Sequence, residues 1–265
     1  MFKRECSVIG VVHVLPLPGS ARYSGDMNEV LRRANQDALR YKENGIEGLI
    51  IENMHDVPYL RGHVEPETTA AMTMIAQSLK AETGLPLGIQ ILAGANNEAL
   101  GVAVAAGLDF LRVEGFVYAH VGDEGIHESC AAQLMRRRAH LKAEHIKIFA
   151  DIKKKHSAHT ITADVSLIET AHAAEFFLAD GVIVTGPTTA SPPDVESVQS
   201  VRTATSGMVL VGSGVTPENV ASFLPSCDAL IVGSSLKHDG LWSNDVDPQR
   251  VRKFIQAVER ATVAR

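Results

Sequence analysis

Residues 146–156, IKIFADIKKKH, open as an apolar run and end in charges that a buried strand does not ordinarily carry. On an alternating strand Lys147, Phe149, Asp151 and Lys153 share one face, and Ile148, Ala150 and Ile152 share the other. A carboxylate and an ammonium two residues apart shift one another's pKa, which suits them to proton transfer. Asp151 and Lys153 are therefore the leading catalytic candidates; a salt bridge closing the end of a barrel is the plainer alternative. Further reactive side chains end other short apolar runs. His13 closes SVIGVVH, Glu52 and Asn53 close GLIIEN, Arg112 and Glu114 share a face of DFLRVE, and His156 follows the lysine triplet.

Two glycine-serine tips stand apart from these ionisable groups. Gly212, Ser213 and Gly214 follow one apolar run, and Gly233, Ser234 and Ser235 follow the last. Small residues let backbone N–H groups converge on an anion, and hydroxyls add donors. Either tip alone could be a tight turn; together they predict a phosphate site, with Lys237 close by. His13, Glu52, Glu114, Asp151 and His156 could instead hold a divalent metal such as Mg. No compact ligand spacing such as HExxH occurs, so no metal or cofactor is assigned. A nucleophile elbow, GxSxG, is also missing from the sequence.

These residues need elements to carry them. Apolar runs at 7–13, 48–53, 86–92, 109–114, 146–152, 181–185, 208–212 and 229–233 read as strands. Helical patterns near 28–44, 66–83, 96–106, 127–144, 163–179, 193–205, 217–224 and 247–261 alternate with them. Eight βα units without remainder predict a single α/β domain over 1–265, a closed (β/α)8 TIM barrel whose strand carboxyl ends form the site. Thr216-Pro217-Glu218 and Asp247-Pro248 read as helix starts, and Gly45, Gly84 and Gly107 as helix ends. The 115–127 segment, with Tyr118, His120 and Asp123, is long enough for a lid or a subunit contact, as is 236–246 with Trp242.

Composition narrows the function classes. The chain has 265 residues, 45% of them hydrophobic, enough for a large core. A net charge of −6 argues against a nucleic-acid surface. Lys3 and Arg4 before SVIGVVHVLPL mimic a signal peptide, but Glu5, His13 and two prolines favour a first strand. No apolar run reaches the ~18 residues of a membrane span. Cys6, Cys130 and Cys227 are dispersed, odd in number and without CxxC, so disulfides and a zinc cluster are not expected and a reducing, cytoplasmic compartment fits. Self-association is left open.

GVVHVLPLPGSARYSG, LIIENMHDVPY, FLRVEGF, ADIKKKHS, VTGPTTASPP, VGSGVTPENV and IVGSSLKHDGLW together resemble the BtpA/SgcQ family across essentially the whole chain. That resemblance implies a ribulose-phosphate-binding-like barrel. One branch of the family is linked to photosystem I accumulation; another resembles genes near sugar-uptake systems. Asp151-x-Lys153-x-x-His156 is also similar to the DxKxxD motif of the orotidine-phosphate decarboxylase group, with His156 where an Asp would stand. The combined expectation is an isomerase, lyase or hydrolase acting on a phosphorylated sugar or nucleoside-like small molecule. Lys153 would be its acid/base or, less favoured, a Schiff-base nucleophile. Asp151 would orient it, and Glu52, Glu114 and Arg112 would bind the polar end. A non-catalytic assembly factor and a ligand sensor are the rivals.

Overall fold

The computed structural model describes residues 6–263. In chain order its elements are β1 (Ser7–His13), α1 (Met27–Glu43), β2 (Gly48–Glu52), α2 (Pro66–Thr83), β3 (Leu87–Gln90), α3 (Asn96–Ala106), β4 (Phe110–Val113), β5 (His120–Gly122) and β6 (Gly125–His127). There follow α4 (Ala131–His140), β7 (Lys147–Ile152), β8 (Ser157–Ala158), α5 (Leu167–Phe176), β9 (Gly181–Val184), α6 (Val195–Ala204), β10 (Met208–Val211), α7 (Val220–Phe223), β11 (Ala229–Val232) and α8 (Pro248–Val263). Eight parallel strands close in the order β1-β11-β10-β9-β7-β4-β3-β2, a (β/α)8 barrel as expected. Among the described residues no helix is long and apolar enough to cross a membrane.

Period-two alternation divides each strand between two apolar layers. Outward residues such as Val8, Leu49, Ile89, Leu111, Ile148 and Val182 join the helices in one buried cluster. Inward residues Ile9, Val11, Ile50, Phe110, Phe149, Ile183, Leu210, Ala229 and Ile231 fill the barrel. Gly88 leaves room in this plug for an aromatic ring: a Cβ there would sit 2.1 Å from Phe110 Cε2. One inward step further along the strands the plug gives way to His13, Glu52, Gln90, Arg112, Asp151, Gly212 and Gly233. The polar site thus stands on a dry, close-packed floor.

The opposite end is tied by a device that recurs three times. Asp109 accepts the Leu87 N–H at 2.8 Å and pairs with Lys80. Asp180 accepts the Ile148 N–H at 2.9 Å and pairs with Arg138 at 2.6 Å. Asp228 accepts the Val209 N–H at 2.7 Å and pairs with Arg202 at 2.7 Å. Each aspartate precedes a barrel strand, accepts an early N–H of the barrel strand before it and pairs with the helix that leads into that earlier strand. Cys6 and Cys227, distant in the chain, also meet at this end, with Sγ atoms 3.3 Å apart.

Several expected boundaries change, and the helix expected over 127–144 spans only Ala131–His140. The 115–127 segment, read as a long loop, is partly regular: β5 and β6 form a hairpin, and β8 joins them in an antiparallel sheet ordered β6-β5-β8. α5 starts at Leu167 rather than near 163, because Ser166 and Glu169 form a reciprocal capping box there. α7 does not begin at Pro217. Thr216 N–H is taken by Asn219 Oδ1 at 2.8 Å and Thr216 Oγ1 by Glu218 N–H at 3.3 Å, which holds a turn ahead of a single helical turn.

Candidate functional site at the barrel mouth

The strand carboxyl ends enclose a chamber of about 260 Å³. One wall is the pair of glycine-serine tips, and all six predicted residues, Gly212, Ser213, Gly214, Gly233, Ser234 and Ser235, line it. The other wall carries His13, Glu52, Arg112 and Lys155. Among the described residues the backbone N–H groups of Ser213, Gly214, Ser234 and Ser235 have no backbone acceptor. Ser213 and Ser235 already donate their hydroxyls to Thr188 O at 3.3 Å and Val215 O at 2.9 Å. The free donors on this wall are therefore main-chain groups, with Ser234 and Arg250 also in its lining. Gly214 has a packing role too: φ is +65°, and a Cβ would lie 2.1 Å from Pro192 N.

Arg112 organises the opposite wall. Its Nε and Nη2 reach Asp151 at 3.0 and 3.3 Å, and its Nη1 reaches Glu52 at 3.3 Å. Burial disfavours the guanidinium charge, but Asp151 and Glu52 outweigh that and hold Arg112 protonated. Burial pushes the Glu52 carboxyl up, opposed by Arg112 and Lys155. His13 is held well below the usual imidazole range, first by burial and then by Lys237, so it is neutral. Its Nδ1 is 2.8 Å from Trp242 O, a group that only accepts, which fixes the proton on Nδ1. Nε2 is then the basic nitrogen, 3.8 Å from Glu52 Oε2.

The predicted pairing of Asp151 with Lys153 does not form. β7 ends at Ile152, and Lys153 has φ +48°, so alternation stops one residue short. Lys153 Nζ turns out of the mouth to Thr162, 2.7 Å from its carbonyl and 3.3 Å from its hydroxyl. Lys155 stands in the mouth instead, half-buried. Burial pulls its pKa down, Arg112 acts the same way, and Glu52, Asp151 and Glu114 oppose. Asp151 is buried on the Arg112 side.

Glu114 and His156 line a second chamber, also about 260 Å³, that shares Glu52, Met54, Arg112, Lys155 and Thr189 with the lining of the first. Glu114 Oε1 pairs with Lys154 Nζ at 3.3 Å. His156, with φ +54°, is exposed, and its Nε2 lies 2.8 Å from Thr189 Oγ1. Among the described residues no three His, Cys, Asp or Glu side chains converge as a metal site. Sequence reasoning missed Lys155, Gln90, Arg250 and the fixed position of Trp242. The lysine triplet was the available signal for the first, and the inward parity of β3 for the second.

A sequence model of the BtpA family matches residues 4–260. An uncharacterised mitochondrial protein of Caenorhabditis elegans is 46% identical over 256 residues, 95% of this chain and 92% of the relative. The photosystem I biogenesis protein BtpA of Synechocystis is 36% identical over 258 residues, 97% and 89% of the two chains. Among solved structures, orotidine 5′-monophosphate decarboxylase of Methanocaldococcus jannaschii superposes with a TM-score of 0.60 at 11% identity, covering 96% and 98% of the two chains. That likeness is one of fold.

Proposed function

The chain belongs to the BtpA family, and from that footing we propose that it is an enzyme acting on a small phosphorylated sugar-like or nucleoside-like metabolite. One observation carries the reading. A wall of unsatisfied main-chain N–H groups faces, across a single chamber, a lysine of lowered pKa and a carboxyl of raised pKa. The first is what a phosphate dianion requires. The second brings an amine and a carboxyl toward each other on the pH scale, which is how proton donors and acceptors are matched at neutral pH. In this reading the phosphate sits against 212–215 and 233–235. Lys155, in place of Lys153, exchanges a proton with the reacting carbon or oxygen or attacks a carbonyl. His13 Nε2 and Glu52 share a second proton. Asp151 fixes the Arg112 fork, and Arg112 stabilises developing negative charge. Isomerisation, lyase chemistry and hydrolysis all use these roles.

The test is thermal melting with inorganic phosphate and a panel of phosphate esters, with and without Mg. A ligand at 100 times its Kd adds about 2.7 kcal/mol, a rise of roughly 5–11 °C. Ser234→Asp sets a carboxylate against the phosphate and should abolish the shift without altering the ligand-free midpoint. A panel without any shift, or a shift that survives Ser234→Asp, sinks the reading. A non-catalytic assembly role, in keeping with the name of the Synechocystis relative, has one observation behind it. Phe176, Phe177 and Leu178 stand 82%, 42% and 67% exposed together at the end of α5. A soluble-partner or membrane pull-down that is lost in Phe176→Ser, with no phosphoester bound at the mouth, would favour it.

A further inference from the structure

Two residues in the wall of the second chamber each keep a buried polar atom without a partner. Gln90 is 2% exposed and Glu114 7% exposed. Gln90 Nε2 and Glu114 Oε2 are both buried with no hydrogen bond. Both residues line the chamber. The β3–β4 register sets Ile89 opposite Leu111, which brings Gln90 beside Arg112 and Glu114 one inward step above. The chamber wall therefore carries an unpartnered donor on β3 and an unpartnered acceptor just beyond β4. An orphaned buried polar group is costly, and two in one cavity of a native fold point to a ligand that satisfies them.

The rest of the lining narrows that ligand. Tyr59 and Trp242 contribute aromatic surface, and Met54 and Leu92 contribute apolar surface. Trp242 is braced by His55 at a ring-centroid distance of 4.8 Å, and its carbonyl is held by His13. The Tyr59 hydroxyl is held by Met54 O at 2.7 Å. An open-chain sugar would use the donor and acceptor but has no use for aromatic walls. A planar ring uses both, provided that it presents a carbonyl to Gln90 and an N–H to Glu114. The two chambers share Lys155 and Arg112 among their lining residues, so a molecule lying along that shared edge would reach both.

We infer that the second chamber binds a planar nitrogenous ring bearing a carbonyl beside an N–H, so that the substrate is of the nucleoside monophosphate class. This rests on the phosphate reading of the first chamber. The ring donates its N–H to Glu114 Oε2 and accepts from Gln90 Nε2 through its carbonyl. Lys154 keeps the other oxygen of Glu114. The pentose then lies at Lys155, Glu52 and His13.

Calorimetric titration of the full chain with ribose 5-phosphate, uridine 5′-monophosphate, inosine 5′-monophosphate and unphosphorylated uridine and inosine tests both readings separately. One of the two nucleotides should bind at least about tenfold more tightly than ribose 5-phosphate, since two orphaned groups gain partners. Gln90→Leu should erase that advantage and leave ribose 5-phosphate unchanged. The substitution replaces an orphaned amide by an apolar side chain of similar size, so the fold should tolerate it, and a melting curve checks this. Ribose 5-phosphate binding without a nucleotide advantage overturns the ring assignment, as does an advantage that persists in Gln90→Leu. Gln90-dependent binding of a free nucleoside, with no binding of ribose 5-phosphate, keeps the ring site and removes the phosphate reading. Absence of all binding removes both.

Discussion

Replacing Arg112 with methionine tests whether the mouth is built around one buried fork. Arg112 side-chain exposure is 5%, Asp151 is 0% and Glu52 is 7%, and the guanidinium touches both carboxylates. Methionine keeps the apolar stem and deletes the charge. Two buried carboxylates then face each other with reduced compensation. Breaking a buried ion pair by removing one partner costs about 3–5 kcal/mol. At about 2–4 °C per kcal/mol, the melting temperature should fall by about 6–20 °C. The pH dependence gives the sign. Without Arg112 the folded pKa values of Asp151 and Glu52 rise further above their unfolded values of about 3.9 and 4.3. The folded state then holds protons that the unfolded state has lost, so stability falls as pH rises through this interval. The deficit against the parent should be small near pH 4, grow with pH and level off above the raised folded values. Urea denaturation followed by circular dichroism at pH 5 and pH 8 measures it. Asp151→Asn should cost less in the Arg112→Met background than alone, with a coupling of about 1–3 kcal/mol. A loss below about 1 kcal/mol at pH 8, or a deficit that ignores pH, would refute the account of Arg112 as the charge that makes burial of these carboxylates tolerable.

Two further outcomes follow from the same geometry. Pyridoxal 5′-phosphate followed by borohydride should label Lys155 ahead of Lys153, because the lowered pKa leaves more free amine and the tips attract the phosphate. Peptide mapping should find labelling slowed by inorganic phosphate, lost in Lys155→Met and kept in Lys153→Met; preferential labelling of Lys153 would reverse the assignment. Asp180→Ala removes an acceptor for the Ile148 N–H and partners of Arg138 and Lys147, and should cost about 1.5–3 kcal/mol near pH 7. Burial opposes the Asp180 charge, but Lys147, the Ile148 N–H and Arg138 outweigh it and hold the pKa below its usual value. Stability from this group is thus present above about pH 4 and lost as pH falls through the depressed folded value, so the parent and variant should converge in acid.

The sequence carried the parts of this architecture that local rules govern. β1, α2 and α3 fall where alternation and caps predict them, since Pro66 opens α2 and left-handed Gly84 and Gly107 end α2 and α3. His13 and Glu52, read as strand ends, and Arg112, placed by period two, all line the chamber, because each belongs to a strand whose earlier inward residues join the floor. What escaped depends on contacts between distant segments. The Asp109, Asp180 and Asp228 clamps have no common period, and each works through an N–H of a different strand. Gln90 reads as one polar residue inside the apolar run 86–92, and its place in a chamber wall with Glu114 and Trp242 exists only once those distant segments come together.

The lysine triplet shows most clearly where pattern fails and why. Extending β7 by one residue would have aimed Lys153 inward. The chain instead enters the left-handed region at Lys153 and again at His156, conformations that cost a non-glycine residue of order 1–3 kcal/mol each. Glycine would relieve that cost, so the lysine and histidine there must be held by what they touch. Lys153 is tied to Thr162 and His156 to Thr189, one on each side of Lys155. Between these anchors the Lys155 N–H donates to Thr185 Oγ1 at 3.2 Å, which pins the backbone against the end of β9. A turn fixed at three points leaves its middle side chain little choice of direction. Lys153 and His156 thus serve as fasteners, and the strain they hold returns Lys155 to the mouth that the strand itself had already left.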